Sequence, residues 1–403
     1  MISFEPSEDQ ALMQQSASLF AKTLLRPKMR DLEKARAVPE DVRKQAHELG
    51  LGMVGLPEAV GGAGLGLTTA VLLEEEIAWG DPAAAFGFGG PGAMGLALVE
   101  LATTEQAKAL LAPFTEDGGH ARFGAVAWGE KKSPEGRDGL ATVATRDGAG
   151  WKLDGEKAYV VAADRADTFV VFAQVDASKG WHGLGAFVVK KGAAGLTVKE
   201  RKTTLGLDIA SFGGLTLDGV KVAESDRLAG GADFLAATIR FFAKQALLVA
   251  ARAVGLSRAT FETTRDYCDS RRAFGKPIGH FQAVAFTLAD RAMDVEAARA
   301  LVWRAAWAWD AEGEKEALKR TGWAVSFALE AAMRCGDDGV QLHGGSGFVR
   351  DYPVEKFMRD AKQLQLCALT AEQADQLAAA IELGRPVDPA LVLPSPTSQN
   401  TFI

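Results

Sequence analysis

The stretch QLHGGSGFVRDYPVEKFMRDAK, residues 341–362, decides how the rest of the chain is read. It follows ALKRTGWAVSFALEAAMRCGDDGVQLHG (317–344), whose apolar residues recur at helical spacing. Gly344 and Gly345 then interrupt the helix. Such a pair either ends it, or lets backbone amides approach a ligand that a side chain would hold off. Upstream, GHFQAVAFTLADRAMDVEAARALVWRAAWAWDAEG (279–313) sets Phe281, Val284, Leu288, Ala292 and Val295 on one stripe, with Asp290, Arg291, Asp294 and Glu296 mostly off it. Strand patterns are missing after residue 231, so 231–385 is expected to be a C-terminal four-helix bundle.

Working outward, the period changes between 121 and 230. ARFGAVAW, ADTFVVFAQV, LGAFVVKKG and GLTLDGVKV are short and rich in Val, Phe and Thr. They are punctuated by Asp147-Gly148, Asp154-Gly155 and Asp218-Gly219, which read as hairpin turns. A middle antiparallel β domain, sheet or barrel, is expected there. No 10 to 15 residue helix alternates with these strands, which disfavours a doubly wound dinucleotide fold. Residues 1–120 read as an N-terminal helical domain. Ser7 and Gln10 form a capping-box pattern ahead of Leu12, Met13, Phe20 and Leu24, and GLG and GGAGLG break the later helices. The tail, 386–403, is proline-rich and reads as a draped or disordered segment. The fold class is α+β, with helices, strands and helices in that order.

Composition sets limits on function. With 48% apolar and 24% charged residues among 403, the chain buries a large core, and no stretch reads as a bilayer span. The start, MISFEPSEDQALMQQ, lacks the pattern of a signal peptide, so the expected address is cytoplasmic. Cys268, Cys335 and Cys367 lie far apart and define neither disulfides nor a metal site. A net charge of −7 argues against nucleic acid as a partner.

Three stretches then converge. SRRAFGKPIGHFQAVAFTLAD (270–290), the 341–362 stretch and GLPEAVGGAGLGLTTAVLLEEEIAWGDPAAAF (55–86) resemble the acyl-CoA dehydrogenase family in wording and order, over roughly residues 5 to 385. The resemblance implies that family's fold, FAD as cofactor and an acyl-CoA-type substrate in fatty acid metabolism, with electron-transfer flavoprotein or oxygen as acceptor. It places Arg271 of R-x-x-F-G on the diphosphate of a neighbouring subunit's FAD, with Phe274 as its aromatic partner. A guanidinium fork suits a diphosphate. Gln341, Gly344 and Gly345 match the family's Q-x-x-G-G stretch, Gln282 the glutamine after R-x-x-F-G, and Thr370 a threonine near the adenylate half. Trp128, Gly129, Tyr159 and Val161 fall where the family walls the isoalloxazine. Because Arg271 reaches across subunits, a homodimer or homotetramer is implied, or a hetero-oligomer with an active sister chain.

The departures lie on the substrate side. The family's proton-removing glutamate is replaced by Ala368, and its alternative position on an earlier helix reads Gln245. Val161 stands where a hydroxyl lies near flavin N5. Glu74, Glu75 and Glu76 form an acidic run that reads as a solvated helix face, Glu130 as structural, and His343 as a packed histidine. No catalytic residue is assigned. Three readings stay open: thioester α,β-desaturation, a flavin monooxygenase or oxidase acting on a non-CoA substrate, and a non-catalytic FAD-binding partner subunit.

Overall fold

A computed structural model describes residues 5–231 and 233–396. Six helices come first: α1 (Glu8–Phe20), α2 (Met29–Ala35), α3 (Glu40–Glu48), α4 (Gly66–Gly80), α5 (Ala93–Leu101) and α6 (Thr104–Thr115). Ser7 does close a capping box, its hydroxyl accepting from Gln10 N while the Gln10 side chain accepts from Ser7 N.

Seven strands follow: β1 (Gly124–Ala127), β2 (Val143–Asp147), β3 (Gly150–Val160), β4 (Thr168–Gln174), β5 (Leu184–Lys190), β6 (Leu196–Lys199) and β7 (Gly213–Val222). They form one sheet in the order β1-β4-β2-β3-β7-β6, with β5 paired to β4. The sheet is antiparallel except where β4 runs parallel to β1 and touches β2 at one residue pair. A parallel pair needs a long crossover, and the stretch holding β2 and β3 supplies it. Of the three Asp-Gly pairs only Asp147-Gly148 turns a hairpin, between β2 and β3. Asp154-Gly155 and Asp218-Gly219 instead sit opposite one another inside β3 and β7, at a bulge where Asp154 Oδ1 accepts from Gly219 N at 2.7 Å. Gly155 is required there, at φ 151° with Thr142 atoms 2.6 Å from where a Cβ would stand.

The last part is helical: α7 (Phe234–Ser270), a small hairpin of β8 (Arg272–Ala273) and β9 (Lys276–Pro277), then α8 (Gln282–Ala311), α9 (Glu314–His343), α10 (Val354–Leu364), α11 (Ala371–Glu382) and α12 (Pro389–Val392). The 37-residue α7 is the axis of the molecule, packed against α4, α5, α8, α9 and α10. Contrary to the sequence reading, an 18-residue window of α7 has the length and hydropathy of a bilayer span; 67% of it is buried inside the fold. Gly255 lets α4 and α7 touch backbone to backbone, since a Cβ there would stand 2.2 Å from the Glu75 carbonyl oxygen. The stripe expected on α8 is only half-buried from Phe281 to Ala292, and its fully buried part begins at Val295. The tail is not simply draped: Val392 and Leu393 are 2% exposed, so apolar burial pins it as far as 396. Its remainder, 397–403, lies outside the described residues.

One buried ammonium ties the three parts together. Lys356 Nζ on α10 lies 2.6 Å from Asp360 and 3.2 Å from Asp81, just past the end of α4. Asp360 also accepts from Leu207 N at 2.7 Å, on the segment leading into β7. Burial alone would lower the Lys356 pKa, but the two carboxylates override it and hold it above the ordinary value. Burial pushes Asp81 up, against the pull of Lys356. Lys356→Met leaves two carboxylates buried without a cation. Denaturant titration at pH 7 is expected to show a loss of about 3–5 kcal/mol.

Candidate functional site

A cavity of about 600 Å³ opens where helices, sheet and bundle meet. Its long wall is one face of α7, carrying Phe241, Gln245, Leu248 and Arg252 at spacings of four, three and four. Eleven residues of helix span roughly 16 Å. At one end stands Trp128, edge-on to Phe242 with ring centroids 4.8 Å apart. Gly129, Ala158, Tyr159 and Val161 continue this end of the wall. Tyr159 adopts φ 55° at a β3 bulge between Ala158 and Val160, which turns it out of the ladder and leaves it 53% exposed. Backbone strain of this kind at a non-glycine residue collects at functional sites.

At the other end Arg252 on α7 meets Glu74 on α4 in a two-pronged pair of 2.7 and 2.8 Å. The ring of Phe86 lies over the guanidinium at 4.2 Å. The acidic run is thus no solvated face. Glu75 and Glu76 are 1% and 4% exposed, Glu75 bonded to Arg258 and Arg299, Glu76 to Arg258 and Gln14. Helix α4 is enclosed by α1, α7 and α8, so its acids point at arginines rather than water.

Beneath the Trp128 end lies a second buried pair. Lys157 Nζ donates to Glu130 at 2.9 Å and to the Trp128 carbonyl at 3.1 Å, while Glu130 accepts from Ala141 N and Thr142 N. Burial would raise the Glu130 pKa; the charge and hydrogen bond of Lys157 outweigh it, and the result lies below the ordinary value. The tail closes over the same place. Trp128 Nε1 donates to the Pro394 carbonyl at 2.9 Å, Glu130 N donates to the Pro396 carbonyl, and Gln373 Nε2 donates to the Leu393 carbonyl at 2.7 Å. Pro394, Ser395 and Pro396 therefore line the cavity.

The residues singled out from sequence fall into two groups. Trp128, Gly129, Tyr159, Val161 and Thr370 line the cavity, Thr370 also capping α11 by accepting from Gln373 N. Arg271, Phe274, Gln282, Gln341, Gly344 and Gly345 do not line it. They gather at one end of the bundle, where Tyr267 of α7 stacks on His343 of α9 at 4.1 Å. Arg271 follows α7, exposed and without a side-chain partner among the described residues. Phe274, at φ 52° on the tip of the β8–β9 hairpin, is 95% exposed, and Gln282 begins α8. A Cβ on Gly344 or Gly345 would meet only open space. His343 is buried, as expected.

Both positions where a base was sought, Ala368 and Gln245, line the cavity. Neither side chain takes a proton. Burial pushes the neighbouring Cys367 thiol up to about 12. Among the described lining residues Glu74 is the sole carboxylate. Sequence reasoning missed Arg252, Lys157 and the tail; the one available signal was a lone arginine inside the apolar run LLVAARAVG.

The comparisons agree with this geometry. Models of the acyl-CoA dehydrogenase N-terminal, middle and C-terminal domains match residues 7–117, 125–220 and 235–378. An acyl-CoA dehydrogenase of Bacillus subtilis (strain 168) is 31% identical over 369 residues, 91% of this chain and 96% of that protein. The chain belongs to the acyl-CoA dehydrogenase family. Among solved structures, butyryl-CoA dehydrogenase from Megasphaera elsdenii superposes with a TM-score of 0.86 at 27% identity, covering 95% of this chain and 100% of that one. A structure described as electron transferring flavoprotein of Acidaminococcus fermentans does so with a TM-score of 0.86 at 28% identity and the same coverage. As a family member the chain is an FAD-dependent oxidoreductase. The residues present fit that cofactor: the cavity has an aromatic and glycine wall, and the bundle end offers an exposed arginine with no side-chain partner among the described residues, and two glycines with open space over them.

The Glu130–Lys157 pair sets an acid dependence. Its pKa being depressed in the folded state, Glu130 contributes stability that is present above its unfolded value near 4.5 and is lost as pH falls through the folded value. Glu130→Gln/Lys157→Met is therefore expected to flatten the loss of stability between pH 5 and pH 3, measured as urea midpoints against the parent chain.

Proposed function

We propose that this dehydrogenase-family chain oxidises an acyl-CoA-type thioester between its α and β carbons, in fatty acid metabolism in the cytoplasm. One observation carries the reading: a single cavity brings together the Trp128–Tyr159 wall and both family base positions, Ala368 and Gln245. When bound, FAD would supply the hydride acceptor for the hydrogen leaving the β carbon, while the α proton leaves to a base to which no residue is assigned. Trp128, Gly129, Tyr159 and Val161 wall the ring, and Thr370 stands on the adenylate side. Arg271, Phe274, Gln282, Gln341, Gly344 and Gly345 lie outside this chain's own cavity, which supports their serving the cofactor of a second copy in a homodimer or homotetramer. The domains divide at 120, 230 and 385. Electron-transfer flavoprotein or oxygen takes the electrons.

A second reading has its own support. The cavity holds Ala368 and Gln245, a thiol pushed up to about 12 at Cys367, and a carboxylate already forked to Arg252. Loss of a proton acceptor favours a flavin oxidase or monooxygenase acting on a non-CoA substrate, or an FAD-holding partner subunit of a hetero-oligomer.

Anaerobic mixing with acyl-CoAs of several lengths separates these readings. Bleaching of the flavin supports desaturation; silence at every length, with oxygen uptake after chemical reduction, rejects it for the second reading. Ala368→Glu restores a carboxylate and is expected to speed bleaching by about 100-fold or more. Arg271→Ala is expected to lose FAD on gel filtration while the parent chain elutes yellow at a dimer mass or above.

A further inference from the structure

The cavity's far end does not suit a plain hydrocarbon. Along α7, Arg252 stands ten residues beyond Phe242, which packs on Trp128, so about 15 Å of helix separates the ring wall from the Glu74–Arg252 pair. Arg252 is 7% exposed. Its Nε and Nη2 are taken by Glu74, but its Nη1, screened from water, has no acceptor among the described residues. Each Glu74 oxygen takes one bond from Arg252, and a carboxylate offers about four acceptor positions, so lone pairs remain. The Glu74 side chain is 18% exposed and lines the cavity. Two turns back on the same face, the Gln245 carboxamide lines the cavity too and has no partner among the described residues. Around them the wall is apolar: Ala70, Leu73, Ile77, Phe86 and Leu248.

We infer that this end of the cavity is a receptor for a neutral hydrogen-bonding group, a hydroxyl or amide, carried on the tail of the acyl substrate. The inference rests on the thioester reading above for the head of that substrate, and on Glu74 and Arg252 for its tail. A hydrocarbon tail would strip water from Glu74 and return nothing. A second carboxylate would face the charge of Glu74, which Arg252 already balances. A hydroxyl or amide donates to a free lone pair of Glu74 beside the Arg252 fork. Arg252 and Glu74 are specificity residues rather than catalytic ones, since they stand far from the ring wall.

Calorimetric titration of the FAD-loaded protein with octanoyl-CoA, 8-hydroxyoctanoyl-CoA and octanedioyl mono-CoA tests this, repeated with the three corresponding methyl esters. The hydroxy chain is expected to bind about 10-fold tighter than the plain chain. In Glu74→Leu/Arg252→Leu, whose fold is checked by its melting temperature, the order is expected to reverse. Equal or weaker binding of the hydroxy chain to the parent protein overturns the inference, as does tightest binding of the dicarboxylic chain, or no binding in either series. If the CoA series fails while the methyl esters keep the ratio, the thioester reading falls and the tail receptor stands.

Discussion

The geometry of the cavity depends on the buried ammonium of Lys356. Asp81 lies seven residues, two helical turns, beyond Glu74. Asp360 lies eight residues before Ala368, and Leu207 lies between Thr204 and Phe212, both of which line the cavity. The parts of the wall given by α4, by the 204–212 segment and by the residues after α10 are therefore a short, stiff distance from the groups that Lys356 or Asp360 holds. Apolar packing tolerates sliding of one element on another by fractions of a turn. A cation with two carboxylates and one amide in fixed directions does not, because any slip strands a charge away from water.

The same logic recurs on α4. Its acids meet Arg252, Arg258 and Arg299, from α7 and α8. Gly255 removes the side chain that would keep the α4 and α7 backbones apart, and the ion pairs fix their register at that close approach. The helix facing the cavity is thus held by polar contacts along the side that also carries Glu74, so the position of the sole carboxylate among the described lining residues is set by the packing of the whole bundle.

What was legible in the sequence was local. The capping box at Ser7, the helical stripes and the Asp147-Gly148 turn all follow from residues within a few positions of one another. Contacts made over long separations were not. The acidic run at 74–76 was read as solvated because its arginines lie 178 to 224 residues away. Asp154-Gly155 and Asp218-Gly219 carry turn chemistry, but the strands facing each other convert it into a shared bulge. The tail was legible as proline-rich; that its carbonyls accept from Trp128 and Glu130 is a property of the fold. The motif residues were legible as patterns, yet their division between those that line the cavity and those at the bundle end needed the structure.

That division bears on the chemistry. On the reading proposed above the flavin side is divided between two places that separate parts of the fold support: Trp128 on the Glu130–Lys157 pair, Arg271 at the end of α7. On the same reading the proton side rests on one position, Ala368, with Gln245 as its alternative, and both line the cavity. Such a site can lose its base without loss of fold or cofactor. Glu74 does not replace it, since the fork to Arg252 ties up the carboxylate a helix length away from the ring wall. The cavity holds the Trp128 wall and positions 368 and 245 together, and on the desaturation reading proposed above the α proton must leave to an acceptor that these two side chains do not supply.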